Sequence, residues 1–334
     1  MSNRYSNVWR VLTSQFGPLL ALAFVFCFFA VIDAFQQDGG QFLSLRNLQT
    51  MLISSAPVMV AALGMTVIII AGGIDLSVGT AVSLCATVLA WMLLHGWPVE
   101  IGIGCCLLTG CIVGCTNGIL ISALRVAPFI VTLGTMTACL GIAKLVADET
   151  TVRPPLSSVP AWMSGLAMPT PDPSWLLVAS GVWLMLAMAA ILSLVLRYTV
   201  FGRYVFALGS NEQTARLCGL NVPALKVMVY TLGGLFVGLA GLYQFAKLKV
   251  GNPTSGVGLE LKVIAAVVIG GASLSGGRGT VLGTLAGVLL MQTIASGCTQ
   301  LGLSNPVQDI ILGIIIVTAV TTDQIRQRRA ATIG

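Results

Sequence analysis

The sequence predicts an all-α, polytopic membrane protein with about ten transmembrane helices. Of its 334 residues, 56% are hydrophobic and only 8% are charged, and the mean hydropathy is +0.96. A soluble domain carries about 25% charged residues, so this composition fits lipid as the solvent. The apolar residues also form continuous runs, several of them near the roughly 20 residues that one helix needs to cross a bilayer. A transmembrane barrel would show alternating hydrophobicity instead, so helices are expected.

Ten apolar segments lie between charges, prolines and glycine pairs. The first is interpreted as a span, because no small-x-small cleavage site followed by a soluble domain comes after it. The eighth has only about 14 residues, which is short for a full crossing, and is expected to be a half-span. No segment is long enough for a separate soluble domain, so residues 1–334 are expected to form one transmembrane domain. The segments run approximately over 16–35, 48–71, 77–94, 98–121, 128–146, 175–196, 225–246, 258–271, 280–297 and 307–322.

The distribution of charges predicts the orientation in the membrane. With the N-terminus inside, the cytoplasmic ends of the segments hold most of the Lys and Arg residues and the outer ends hold most of the acids. This agrees with the positive-inside rule, so both termini are expected in the cytoplasm. The proline-rich loop 147–174 then faces the periplasm, and the loop 197–224 faces the cytoplasm.

The reactive residues argue against an enzyme. The nine cysteines fall mostly within apolar segments, where cysteine acts as a small hydrophobe, and His95 is the only histidine. An intramembrane enzyme would need His, Asp or Cys clustered within spans, so no catalytic, metal or cofactor site is expected. An ion-driven secondary transporter stays as the alternative, although it would need intramembrane charges as carriers and nearly all charges lie at segment ends.

A short helix is predicted inside the second loop, in SNEQTARLCGLNVP (210–223). Ser210 can cap its N-terminus while Gln213 reaches back, as in a capping box. Gly219 supplies the left-handed stop. The predicted helix covers 211–218.

This short helix has two interpretations. It could complete a surface loop, or it could be a coupling helix that fits a groove on a cytoplasmic protein. Glu212 and Arg216 share a face at i and i+4, and Asn221 with Pro223 begins the next span. A helix of two turns is unstable alone and needs packing or a partner.

Two glycine-broken motifs, GGIDLS (72–77) and GGASLS (270–275), share the pattern GGxxLS. Asp75 is expected to cap the following helix with its carboxylate. Irregular backbone at membrane depth is tolerated only inside protein or beside a cavity. Asp75 is therefore expected to lie near a solute pathway or its gate.

Glycines at spacings of four predict close helix packing in two segments, with a sliding surface as the alternative. They are Gly102, Gly110, Gly114 and Gly118 in the fourth segment, and Gly279, Gly283 and Gly287 in the ninth.

Three blocks together resemble a known family. They are GMTVIIIAGGIDLSVG (64–79), GRYVFALGSNEQTARLCGLN (202–221) and LELKVIAAVVIGGASLSGGRGTVLGTLAGVLL (259–290). In this order they resemble the permease subunit of bacterial ABC sugar importers of the ribose, xylose and galactose type, in the branched-chain amino acid/sugar permease superfamily. The likeness covers nearly the whole chain. It implies a type II importer permease of the same broad class as the vitamin B12 importer.

The resemblance also implies the partners. They are a cytoplasmic ATPase subunit with two nucleotide-binding halves, a periplasmic sugar-binding protein and a second permease, identical or paralogous, in the bacterial inner membrane. The substrate would be a monosaccharide, and no nucleic acid is expected. The chain has no GxxxxGK[ST] phosphate loop, so the energy of ATP would come from another polypeptide.

By the same resemblance, the loop GSNEQTARLCGLN docks on the ATPase. The coupling role passes to Glu212, Ala215 and Gly219, with Ser210, Asn211 and Arg216 in the same short segment. The candidate gate and pathway residues are Gly72, Gly73, Asp75, Ser77, Asn117, Gly270 and Gly271. Further polar side chains that could line a sugar path are Asn47, Thr66, Thr132, Thr135, Gln292, Asn305 and Gln308. Glu260 and Lys262 are expected to face the binding protein or to pair locally.

Overall fold

The structure is a computed structural model that describes residues 2–35, 40–169, 176–304, 306–315, 317–318 and 321. Within these residues the chain is nearly all helical, and the β-structure amounts to one isolated antiparallel bridge between Val152 and Gly251. The predicted all-α class is confirmed.

The helices are α1 (Ser2–Ala34), α2 (Leu45–Ile70), α3 (Val78–Leu94), α4 (Val99–Leu124), α5 (Pro128–Val146), α6 (Ala161–Gly165), α7 (Ser180–Tyr198), α8 (Val200–Ser210), α9 (Glu212–Leu217), α10 (Val222–Leu248), α11 (Leu259–Ile269), α12 (Val281–Gln300) and α13 (Pro306–Ile315). A 3₁₀ turn covers Leu156–Ser158.

Each of the ten predicted segments contains a helix in the described part of the chain. By length and composition, seven of these helices could cross a membrane: α1 from Gly17, α2, α4, α5, α7, α10 and α12. Helices α3, α11 and α13 are shorter. The eighth segment was expected to be short, and α11 has 11 residues. The end of the tenth segment lies outside the described residues.

Helix α2 is the central helix of the bundle. Of its most apolar stretch, 89% is buried, whereas the corresponding values are 22% for α4 and 17% for α5. A helix that is apolar on all sides is buried in protein or lipid. Here α2 is surrounded by protein, while α4 and α5 keep large apolar side chains such as Leu108 and Leu145 on the outside, where lipid is the expected contact.

The glycine ladders pack helices closely, as predicted. Gly114 of α4 lies against α10, where an added Cβ would be 2.9 Å from the Cα of Gly234. In α12, Gly287 lies against α11, where an added Cβ would be 3.0 Å from the nitrogen of Gly270. Such distances leave no room for a side chain, so the small residues allow the backbones to approach.

Candidate gate and coupling surface

One end of the bundle brings together segments that are far apart in the sequence. The backbone N–H of Gly277, after α11, donates to the carbonyl of Ile70 at the end of α2 (2.8 Å). A Cβ on Gly276 would lie 2.9 Å from the Cα of Gly72 and 3.0 Å from the Cα of Gly209 in α8. The loops that contain the two GGxxLS motifs therefore meet at the end of α8.

The residues that make this contact differ in part from those the sequence indicated. Gly72 takes part, with φ +82°, but it lies against Gly276 and Gly209. Gly270 instead packs against α12, where an added Cβ would be 2.8 Å from the nitrogen of Thr284. The two GG pairs are therefore not paired with each other. Gly276 and Gly277 both have positive φ, and the GGRG run was the available signal.

The segment 71–77 turns back into the bundle before α3 begins. The carbonyl of Ile74 accepts hydrogen bonds from the Thr132 hydroxyl (3.4 Å) and the Tyr230 hydroxyl (3.4 Å). Thr132 lies one turn inside α5, and Tyr230 lies about two turns inside α10. At 1.5 Å per residue, these donors are roughly 6 to 12 Å from the helix ends. Helix α3 therefore starts within the bundle.

Asp75 is the centre of a buried hydrogen-bond network in this segment. One carboxylate oxygen accepts from the Ser77 backbone N–H (2.8 Å) and the Ser77 hydroxyl (2.5 Å). The amide of Asn117 donates to the other oxygen (3.4 Å) and to the Ser77 hydroxyl (3.0 Å). Thr135 of α5 donates to the Asn117 carbonyl oxygen (2.6 Å). Asp75, Ser77 and Asn117 are 3% exposed or less, so the network links segment 71–77 to α4 and α5 away from water.

The expectation that Asp75 caps α3 is wrong. The N-cap residue is Ser77, which has helical φ and ψ (−78°, −10°) and makes no side-chain capping bond. Asp75 stands two residues earlier and closes a local turn through Ser77, because Asp side chains readily bond the backbone two residues on. No described Lys or Arg forms an ion pair with Asp75. Neutral donors and the nearby helix start solvate its carboxylate.

A second re-entrant segment runs from the end of α10 to α11. The Gly256 backbone N–H donates to the Ser83 hydroxyl (2.6 Å), and the Ser83 and Ser255 hydroxyls are 3.4 Å apart. Nearer the C-terminal end of α3, an added Cβ on Gly251 would lie 2.8 Å from the Cα of Thr87. The chain therefore descends along α3 before α11 begins.

Glu260, in the first turn of α11, is buried at this point. One carboxylate oxygen accepts from the Gly258 backbone N–H (3.0 Å), and the other has no hydrogen-bond partner among the described residues and lies against Gly79 of α3. Glu260 is only 6% exposed. Glu260 forms no ion pair with a described residue, and its local partner is the backbone N–H of Gly258. A surface position is not observed either, because the re-entrant segment carries Glu260 inward. Lys262 is exposed.

The other polar side chains within the helices mainly hold helices together. The hydroxyls of Thr66 and Thr284 are 2.7 Å apart and join α2 to α12. The Ser296 hydroxyl donates to the Asn47 side chain (3.0 Å) at the other end of the same pair. Asn305 lies outside the described residues.

Helix α9 is the short helix predicted in the second loop, with one correction. Its N-cap is Asn211, whose side chain accepts from the Thr214 N–H (2.9 Å), so the prediction of Ser210 is wrong. Ser210 cannot be the N-cap because it is the last residue of α8, a helix that was not predicted from the sequence. The capping residue Thr199, which accepts from the Gly202 N–H (3.2 Å), was the signal for α8.

The predicted stop at Gly219 is confirmed. Gly219 has φ +83°, and its N–H donates to the Arg216 carbonyl (3.0 Å). The Leu220 N–H donates to the Ala215 carbonyl (3.1 Å), which completes a Schellman motif. Helix α9 covers six residues, Glu212–Leu217, instead of the eight predicted. Helix α10 begins at Val222 and Pro223, as expected, and Asn221 is its N-cap, accepting from the Ala224 N–H (3.2 Å).

An ion pair attaches α9 to α10. The Glu212 carboxylate lies 2.8 Å from the Lys226 ammonium and 3.4 Å from the Arg216 guanidinium. Within α9, Ala215 is buried, whereas Leu217 is 88% exposed. The helix is thus attached to the bundle on one face and exposes an apolar side chain on another.

Two cavities lie beside α9, and the smaller one also reaches the re-entrant segment 71–77. The larger, of about 580 Å³, is formed by α9, the start of α10 and the α4–α5 junction. The smaller, of about 100 Å³, is lined by Gly72, Gly73 and Tyr230. Glu212 and Lys226 line both. The candidate coupling surface and the candidate gate are therefore neighbours.

This architecture defines a class of protein: a polytopic helical membrane protein whose bundle is interrupted by two re-entrant segments. Helices that begin at membrane depth are typical of transport proteins, since the free backbone groups at the break need protein or a cavity around them. The chain belongs to the family described as the permease component of the branched-chain amino acid transport system, whose model matches residues 47–320.

Curated relatives are similar over most of their length. The ribose import permease protein RbsC of Escherichia coli strain K12 is 34% identical over 86% of this chain and 88% of its own. RbsC of Bacillus subtilis is 36% identical over 93% of this chain and 92% of its own. The L-arabinose ABC transporter permease protein AraH of Azospirillum brasilense is 35% identical over 87% and 84%. No solved structure gave a significant match.

Proposed function

We propose that the chain is the membrane-spanning subunit of an ATP-binding cassette importer that passes a monosaccharide from periplasm to cytoplasm. The observation that carries the proposal is the similarity, over most of the chain, to a ribose import permease and an L-arabinose ABC transporter permease. The fructose import permease protein FrcC of Rhizobium meliloti is similar too, at 32% identity. The shared substrate class is a pentose or hexose. The subunit itself does no covalent chemistry.

The partners in this proposal are an ATPase with two nucleotide-binding halves, a periplasmic sugar-binding protein and a second permease. Helix α9 would be the ATPase contact. A helix of six residues is unstable alone, and here the Schellman motif and the Glu212–Lys226 pair hold it. Its exposed Leu217 suits an apolar groove on a partner.

Two sets of contacts connect α9 to the candidate gate, so that a movement of α9 would be transmitted to it. Lys226 connects it to α10, and the Tyr230 hydroxyl, one turn further along α10, contacts the carbonyl of Ile74. Asn211 joins α9 directly to α8, whose Gly209 packs against Ile70 and Gly277. ATP-driven movement of α9 would therefore shift both loops that contain the GGxxLS motifs, as a rigid-body change around a fixed bundle.

The proposal places α8, α9 and the ends of α2 and α4 in the cytoplasm, with both termini on that side. Basic residues at this end support the orientation by the positive-inside rule. They are Arg125, Arg197, Arg203, Arg216, Lys226 and Arg278.

An ion-gradient-driven transporter is the second candidate, and one observation favours it. Asp75 and Glu260 place two carboxylates inside the bundle, and ionisable groups at that depth serve as ion carriers in such transporters. Reconstitution of the permease with its ATPase and binding protein in liposomes separates the candidates. We expect uptake of labelled ribose or arabinose to need internal ATP and to survive an uncoupler. Uptake that persists without ATP but collapses with the uncoupler would favour the second candidate.

A further inference from the structure

The larger cavity beside α9 carries a surplus of positive charge. Three cations line it, Arg125, Arg216 and Lys226, against one carboxylate, Glu212. Glu212 is shared between Arg216 and Lys226. Arg125 forms no ion pair with a described residue, so its charge is left uncompensated.

The backbone around the cavity adds to its positive electrostatic potential. Ala127 and Pro128, at the start of α5, and Val222 and Pro223, at the start of α10, line the cavity. Both helices are long, with 19 and 27 residues, and the N-terminus of a helix carries about half a positive charge. Two positive helix ends and three cations therefore converge on one concave volume.

Arg125 occupies this place at a conformational cost. It has φ 53°, ψ 31°, the left-handed conformation that is strained for an L-residue and that glycine adopts freely. Glycine is the usual residue where a helix ends in this way. A helix stop alone does not account for an arginine here, whereas its guanidinium would help to bind an anion in the cavity.

We propose that this cavity binds a phosphate-bearing anion. Its volume of about 580 Å³ is that of a small-molecule site, larger than a single ion needs. The phosphate could come from an anionic lipid headgroup or from a soluble phosphate ester. The surroundings favour the lipid, because Leu124 and Phe129, which flank the Arg125 corner, are 60% and 50% exposed and offer an apolar wall for acyl chains. Basic pockets between membrane helices are known to hold such headgroups.

The test uses the purified full-length permease in detergent, with native mass spectrometry counting bound lipid during titration with phosphatidylglycerol or phosphatidylcholine. The informative variant is Arg125→Gly, which removes the cation and suits the left-handed backbone. We expect its affinity for phosphatidylglycerol to fall about 5-fold, and that of Arg125→Gly/Lys226→Gln about 25-fold, at about 5-fold per cation. Arg125→Lys should retain most of the binding. Arg197→Gln is the matched control, since Arg197 is exposed near the same end but lies outside the cavity.

Thermal unfolding of the same variants separates a binding role from a structural one. Arg125→Gly should unfold at the same or a higher temperature in lipid-free detergent, because the strained residue is replaced. Competition by glucose 6-phosphate, with no preference between the lipids, would assign the phosphate to a soluble source. The proposal is overturned if Arg125→Gly binds phosphatidylglycerol and glucose 6-phosphate as the unmodified protein does. It is equally overturned if Arg125→Gly binds both phosphate compounds normally and loses only its attachment to the ATPase. The cavity would then bind an acidic side chain of that partner instead of a phosphate.

Discussion

The ammonium of Lys226 lies 2.8 Å from the carboxylate of Glu212, so the first turns of the 27-residue α10 are tied to the six-residue α9. The pair is half-buried, with the Lys226 side chain 23% and the Glu212 side chain 42% exposed. An ion pair at such a site adds little to global stability, at most about 1 kcal/mol. Its effect is to couple the position of a surface helix to that of a membrane helix.

Breaking this pair should impair coupling while leaving the fold intact. We expect Glu212→Gln and Lys226→Met each to reduce ATP-dependent uptake several-fold, with a change in unfolding free energy within about 1 kcal/mol. Because both changes remove the same contact, the double variant should lose no more uptake than the worse single one. The comparison is a double-mutant cycle on uptake in proteoliposomes. Additive losses would show that the two residues act separately.

Gly219 should tolerate only residues that accept a left-handed backbone. Its φ is +83°, yet a Cβ would meet no atom within 4 Å, so the obstacle is conformational strain rather than a clash. Gly219→Val should therefore unwind the end of α9, insert normally and lose uptake at least tenfold. Gly219→Asn is the control, because Asn adopts this conformation several-fold more often than other residues and should keep most activity. Equal activity of the two variants would remove Gly219 from the coupling mechanism.

Asn117 should be the most sensitive member of the buried network. Asn117→Leu removes two donated bonds and the acceptor for Thr135, and leaves the buried Asp75 with fewer donors. An unsatisfied buried polar group costs about 1 to 3 kcal/mol, and more if charged. We expect a lower unfolding temperature and lower uptake.

Two further variants test the cause of that loss. Asp75→Asn in the Asn117→Leu background should recover part of the stability, because no carboxylate is then left poorly solvated. Thr109→Val, on the same helix, is the matched control, since Thr109 bonds only to the carbonyl of Cys105 one turn earlier. A loss with Thr109→Val as large as that with Asn117→Leu would contradict the assignment.

The contact between α4 and α10 is so close at Gly114 that adding a single methyl group there should destabilise the protein. A Cβ at Gly114 would lie 2.9 Å from the Cα of Gly234 and closer still to the carbonyl of Tyr230. Gly114→Ala should therefore destabilise the protein by about 1 to 3 kcal/mol, the usual cost of overpacking. At Gly104, on the same helix, no atom lies within 4 Å of an added Cβ, so Gly104→Ala should be neutral or stabilising. Thermal unfolding in detergent measures both.

Features that depend on neighbouring residues in the sequence were predictable. Turn chemistry is local, so the stop at Gly219 and the cap at Asn221 follow from a few residues. Helix α9 was found for the same reason, although its cap was assigned one residue too early. Ser and Asn are both favourable N-cap residues, and the choice between Ser210 and Asn211 depends on where α8 ends.

The re-entrant segments could not be predicted from local sequence patterns. The sequence marked GGIDLS as unusual, but the depth of Ile74 and the partners of Asp75 come from α4, α5 and α10. A surface position was one of the two expectations for Glu260, because a charge at the end of an apolar run normally lies there. Its burial follows from the path of residues 250–258 along α3, which no periodicity records.

The sequence by itself determined that this protein is a lipid-embedded helical bundle, because the transfer free energy of each apolar run and the backbone requirements of each turn are properties of contiguous residues. Only the tertiary structure decided that Gly72 meets Gly276, that Asn117 holds Asp75, and that Arg125 shares a cavity with Lys226. Those contacts join residues tens to hundreds of positions apart, and their partners are selected by how closely the helices pack.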